Sequence, residues 1–235
     1  YKRRVKKYMA TLGNSNQIIV GAAQLFVSTQ GALEYYSGSG SAAVYNFGSG
    51  SVSTVPAFVS GTRYADTLEA NANYRNVGYT MNGLELQFQP DFGEVQVDQI
   101  LDVARLYKQG MQVNLATAFA EATLENLLVA LAYSDSKLTG NKNASTGQTL
   151  NLSAGDIGDV PVERGIVAVG PGSGDPATFE DKERIYAAYR ALSIENVTVS
   201  AKRDEPSMFE VSFRLLPEDT SGSYGKIIDR TFGQS

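Results

Sequence analysis

Two stretches near the middle of the chain alternate apolar and polar side chains with a period of two, the spacing of a β-strand that has one buried and one wet face. In residues 83–91, GLELQFQPD, Leu84, Leu86 and Phe88 alternate with Glu85, Gln87 and Gln89. In residues 94–99, EVQVDQ, Val95 and Val97 alternate with Glu94, Gln96 and Asp98. A helix repeats its faces every 3.6 residues and cannot use this pattern. Between the two lies PDFG, whose Pro, Asp and Gly are turn formers, so the pair is expected to be a hairpin turning at Pro90 to Gly93.

The rest of the chain has the same texture. Residues 17–28 read as a first strand, and DVARLY (102–107) as another. In QVNLATAF (112–119), Val113, Leu115 and Phe119 fall on one side and Gln112 and Asn114 on the other. PVERGIVAVGP (161–171), NVTVSA (196–201) and MFEVSFRLLP (208–217) continue the series, with TLNLS (149–153) as a short addition. In MFEVSFRLLP the alternation buries Phe209, Val211, Phe213 and Leu215 and exposes Glu210, Ser212 and Arg214. RIYAAYRAL (184–192) fits either a helix or a Tyr-rich strand.

One helix stands out. Thr123 can cap it and Glu125 suits its first turn, while Leu124, Leu127, Leu128 and Leu131 fall at i, i+3, i+4 and i+7. A single apolar stripe on one short helix is expected to pack on the outer side of a sheet. The fold class is therefore mainly β, an antiparallel β-sandwich or partial barrel with one packed α-helix. Residues 1–16 form a basic and polar N-terminal arm, and 17–235 a single β domain. Within it, the Gly-, Ser- and Tyr-rich segment 31–78 is expected to be an extended arm or loop insertion ordered by neighbours, and 134–159 a polar loop region.

The chemistry that remains open is narrow. There is no Cys and no His, which removes disulfides, thiolate and Ser-His-Asp catalysis and the commonest zinc ligands. Acidic pairs such as Asp156 with Asp159, or Glu94 with Asp98, have the side chains a glycosidase needs, but acids on strands and turns are the ordinary result of solvation. Neither Gly-rich stretch, GSGSAAVYNFGSGS (38–51) or GPGSGD (170–175), ends in the Gly-Lys-Ser/Thr of a phosphate-binding loop. No cofactor or metal is expected, and no enzymatic activity. No stretch reaches the ~20 apolar residues of a membrane span.

The charge is lopsided. Five of the 20 Lys and Arg lie in the first seven residues, which leaves 15 against 25 Asp and Glu, a net −10 for the remainder. An acidic body disfavours groove binding of nucleic acid, which relies on Lys and Arg neutralising phosphates. The thirteen Tyr and ten Phe therefore fit strands and protein interfaces better than nucleic-acid stacking platforms.

The order of these parts resembles the tail tube (major tail) protein family of long-tailed bacteriophages. The likeness runs through NVGYTMNGLELQFQP, EVQVDQ, QVNLATAFAEAT and the helix LENLLVALA, with IIVGAAQLFV as first strand and MFEVSFRLLPED as closing strand. It covers about half of the chain and rests on order and texture, with no catalytic-type motif. The resemblance implies subunits that form rings, with hexamers the expected number, whose strands join a ring-wide inner β-barrel. It implies rings stacked around a tape-measure protein, tail-end proteins at the tips, and DNA passing through the lumen without specific binding. The site is the virion tail, assembled in the host bacterial cytoplasm. In that family the hairpin contributes to the inner barrel, so Glu85, Gln87, Gln89, Glu94, Gln96 and Asp98 are expected to line the lumen. Another β-rich virion or secretion-tube component, or a surface adhesin or pilus-type protein, are the alternatives.

Overall fold

A computed structural model describes residues 19, 21–29, 56, 58–96, 98, 102–154, 161–173, 182–199, 203, 207–218 and 222–233. The expected N-terminal arm over 1–16 and the first part of the expected 31–78 arm, through residue 55, lie outside the described residues.

Ten strands and two α-helices make up the described fold. In chain order they are β1 (Gln24–Ser28), α1 (Tyr64–Glu69), β2 (Tyr74–Asn76), β3 (Thr80–Gln96), β4 (Val103–Phe119) and α2 (Leu124–Ala130). There follow β5 (Leu138–Gly140), β6 (Gln148–Leu150), β7 (Arg164–Pro171), β8 (Lys182–Ser193), β9 (Phe209–Leu216) and β10 (Gly225–Thr231). Strands β5 and β6 pair as a separate small ribbon inside the expected polar loop region. The other eight form one sheet in the order β2-β1-β7-β8-β9-β4-β3, every pairing antiparallel, with β10 joined to β8.

The sheet forks at β8. One edge of β8 pairs with β7, while the other is shared: β10 takes Lys182 to Ala188 and β9 takes Arg190 to Ser193. Both edges being occupied settles RIYAAYRAL as strand, because the backbone donors and acceptors a helix would use internally are taken by neighbours. Glu183, Ile185, Ala187 and Tyr189 are buried along it at period two, and past a register shift Ala191 falls with buried Ala188 on the opposite face.

Each face of the sheet carries its own apolar cluster. On one face, Leu25, Val27, Ile166 and Ala168 join Val113, Leu115, Phe119, Val211, Phe213 and Leu215. On the other, Phe26, Val167, Val169, Ile185 and Tyr189 meet Tyr64, Leu68 and Tyr74. Tyr64 and Leu68 are fully buried there. Part of the expected extended arm is thus a helix and strand built into the fold, because Tyr64, Ala65 and Leu68 give α1 an apolar face that closes the second cluster.

Helix α2 is capped as expected, with Thr123 accepting from the Asn126 N–H at 3.2 Å. Its inward face is turned from the leucine stripe. Leu128 is buried together with Asn126, Val129 and Ala130, and half-buried Leu127 packs against the same core, whereas Leu124 and Leu131 are half-buried at its margin. Asn126 sets this rotation: its amide donates to the Val77 and Glu121 carbonyls at 2.8 and 2.9 Å and accepts from Arg75 at 2.7 Å. A buried amide keeps that place only when its polar atoms are satisfied, as here.

Two other expectations change. Asn196 to Val199 forms no strand: Val197 packs half-buried against the main core while Val199 is exposed, so the segment has no continuous covered face; Ser200 and Ala201 lie outside the described residues. Ser212 is buried, since β9 lies between β4 and β8, while Glu210 and Arg214 are exposed as read.

A candidate assembly surface on the long hairpin

The expected turn at Pro90 to Gly93 does not exist. Strand β3 runs unbroken through it, and the chain reverses only between Gln96 and Val103. Two facts allow turn-type residues inside this strand. β3 is the last strand of the sheet, so the missing Pro90 N–H falls on an edge that no strand pairs with among the described residues. Gly93 is paired with Tyr107, and a Cβ on it would sit 2.6 Å from the Tyr107 ring and 2.5 Å from the Gln109 amide. Tyr107 covers the bare glycine backbone and is held there by Gln109 Nε2, which donates to its hydroxyl at 3.0 Å.

At the other end of β3, the sequence Met81-Asn82-Gly83-Leu84 makes a bulge, with Asn82 and Gly83 in the left-handed region at φ 64° and 71°. Thr117 Oγ1 fastens it by donating to the Gly83 carbonyl at 2.8 Å. Just before it, Gly78 at φ 83° lies under the Glu121 carboxylate, which accepts the Tyr79 N–H at 3.0 Å; a Cβ there would meet Glu121 at 2.2 Å.

Between Glu85 and Gln96 the register irregularities place their extra residues, Gln109 and Ala104, in β4, so β3 alternates without interruption. Leu86, Phe88, Pro90, Phe92, Glu94 and Gln96 therefore share one face, and Glu85, Gln87, Gln89, Asp91, Gly93 and Val95 the other. The six residues expected on a common lumen face are divided: Glu85, Gln87 and Gln89 lie opposite to Glu94 and Gln96. Asp98 lies past the strand, and all six are exposed. The cause is parity, since a turn would have reset the alternation and a continuous strand does not.

The polar face at the hairpin base extends across three strands. Glu85, Ala116 and Ser212 form one cross-strand row and Gln87, Asn114 and Arg214 the next. Gln112 follows opposite Gln89 and donates to Asn114 at 3.3 Å. Arg214 is the cation on this surface that reading single strands could not place there; the register of β4 with β9 does.

Beyond the base the hairpin leaves the rest of the described sheet. Strand β9 pairs with residues 113–119 of β4, so residues 103–112, about 33 Å of strand at ~3.3 Å per residue, are paired among the described residues with β3 alone. Tyr224 props the start of this arm, its hydroxyl donating to the Met111 carbonyl at 2.6 Å. Further out, Phe92 is 54 % and Leu106 59 % exposed, and Val95 and Tyr107 are exposed on the opposite face. A two-stranded ribbon is marginal in water by itself.

A cleft of about 260 Å³ opens where β10 leaves the sheet, between the hairpin base and β10. Phe88, Met111, Tyr186, Leu215, Tyr224 and Ile227 are among the side chains that make it apolar.

A buried electrostatic cluster lies elsewhere. The Glu183 carboxylate accepts the Tyr64 N–H at 3.0 and 3.2 Å at the start of α1 and pairs with Arg230 at 3.0 Å. Arg230 also donates to the Val59 and Thr62 carbonyls and lies 4.7 Å over the Phe58 ring. Burial pushes the Glu183 carboxyl above the usual carboxylate range, against the pull of the Tyr64 N–H, Arg230 and Arg63. Its partners among the described residues tie α1 and β10 to β8, which makes it a structural clamp.

Among the described residues no group of three or more acidic side chains is placed to hold a metal ion, and no helix is long and apolar enough to cross a membrane. No protein-family profile and no curated protein matches the chain.

Proposed function

We propose that this chain is a structural subunit that assembles with copies of itself through strand edges into rings, and that the rings stack as a tube of the kind found in the tails of long-tailed bacteriophages. The observation that carries this is the long hairpin. Among the described residues it has an unpaired outer edge on β3, leaves the support of its own sheet for about 33 Å and exposes large apolar side chains on both faces. Exposed edges of this length invite further strand pairing, and in a closed ring each edge finds the next subunit. The unpaired outer edge of β10 is a second such strand among the described residues.

In this reading the polar face of the hairpin base, with Glu85, Gln87, Gln89, Gln112 and Asn114, faces the channel. DNA crosses it during delivery without specific binding, and the carboxylates of Glu85, Asp91 and Glu210 against Arg214 keep the wall net acidic. A tape-measure protein fills the lumen before DNA, tail-end proteins close the tube, and the assembly belongs to a virion formed in the host bacterial cytoplasm. The role is structural, not enzymatic. Six-fold rings follow from the family resemblance.

Negative-stain electron microscopy of the purified protein over a range of concentrations tests the proposal. Open-centred rings or tubes are the expected result. A uniform monomer at every concentration would overturn it and would favour an adhesin-type module.

A further inference from the structure

We infer that the cleft between the hairpin base and β10 is a socket for the outer hairpin of a second copy of this chain, with Phe92 and Leu106 as the side chains that enter it. This rests on the self-assembling reading above and names the contact that would join one copy to the next.

The occupant is argued from the chain itself. Phe92 and Leu106 lie on the same face of the hairpin, on strand positions joined through the Phe92–Lys108 and Glu94–Leu106 pairs, and more than half of each is in water. The cleft wall is formed in part by Phe88, on that same face four residues earlier. Four residues of strand place Phe92 about 13 Å further out. A paired strand does not fold back over that distance, so the hairpin cannot fill its own cleft. It can fill a neighbour's.

Size and charge agree. A volume of about 260 Å³ accommodates an aromatic ring with an aliphatic side chain beside it, and half-exposed Ile227 and Phe88 form a rim that such a pair would cover. On the knob face Phe92 is flanked by Glu94 and Lys108, and Lys226 lines the cleft, so Glu94 is the carboxylate that docking can bring to Lys226. Knob and socket are different surfaces of one chain, which makes the contact heterologous. Such contacts propagate from copy to copy into rings or open filaments.

The absence of cysteine from the sequence makes a clean test possible. One preparation carries Phe92→Cys and a second Ile227→Cys; they are mixed, allowed to assemble and oxidised. Disulfide-linked dimers that form in the mixture, and at least tenfold less in either preparation alone, are expected. If wild-type protein forms rings or tubes but the mixture gives no such excess, the inference fails while the assembly proposal stands. If wild-type protein remains monomeric under all conditions, both fail. A second variant, Phe92→Glu, should lower the assembled fraction at least tenfold with an unchanged melting temperature. Normal assembly by that variant would overturn the socket.

Discussion

Replacing Glu183 tests whether the fold depends on the clamp between β8, α1 and β10. Glu183→Ala would leave two buried groups without their partner: the Tyr64 N–H at the start of α1, and one arm of the Arg230 guanidinium. Breaking a buried pair from one side costs about 3–5 kcal/mol, because the surviving charge stays desolvated. For a chain of this length that is a fall in Tm of roughly 6–20 °C. Glu183→Gln should cost less. Its amide oxygen can still accept from Tyr64, and Arg230 keeps the Val59 and Thr62 carbonyls. The pH dependence separates this account from simple packing loss. Burial raises the Glu183 carboxyl in the fold, so the folded state holds that proton more tightly than the unfolded chain does. The stability this group contributes is fully present below the unfolded value of about 4.3 and is lost as pH rises through the higher folded value. Urea unfolding at a series of pH values should therefore show wild type losing ground to the Gln variant as pH rises from 4 to 8. A wild-type advantage that grows with pH, or an Ala variant no weaker than Gln, would refute the reasoning.

Leu128→Asp places an unpaired carboxylate in the main core beside α2, and about 4 kcal/mol of destabilisation is expected by thermal or urea unfolding, whereas Leu124→Asp, on the half-buried side of the helix, should cost much less. Glu85→Lys combined with Gln89→Lys puts two cations on the polar face of the hairpin base. Assembled tubes carrying them should retain duplex DNA in a strongly salt-dependent way and slow its passage, as phosphate contacts dictate; DNA transit equal to wild type in normally assembled tubes would show that this face is not the channel wall.

The strands that could be read from the sequence are those whose two faces differ. Phe209, Val211, Phe213 and Leu215 are buried as their alternation requires, and Thr123 caps α2 as its position indicates. The misreadings have a common cause, which is that the deciding partner is far away in the chain. Nothing in NVTVSA shows that no layer covers Val199, and nothing in LENLLVALA shows that Asn126 is held by Val77. Helix α1 did leave a local signal. Tyr64 and Leu68 stand one turn apart with Ala65 beside them, but the Gly- and Ser-rich run before them suggested an arm.

The candidate site shows how far a local reading reaches and where a single residue decides it. The composition of PDFG favours a turn by every local rule, and those rules assume that both edges of a strand need partners. On an edge strand a proline loses no pairing, and a glycine under a tyrosine exposes no backbone, so the same four residues extend the hairpin instead of ending it. Everything downstream follows from this. With a turn, Glu85 and Glu94 would stand on one acidic face and the hairpin would be too short to leave its sheet. Without it, Glu85, Gln87 and Gln89 share the polar face with Asp91, Glu94 moves to the side of Phe92, and the apolar stripe runs outward past the point where the described residues cover it. The acidity read from the sequence as one surface is thus two. One lies along the sheet and suits a channel wall; the other accompanies an exposed aromatic side chain and suits a contact between copies.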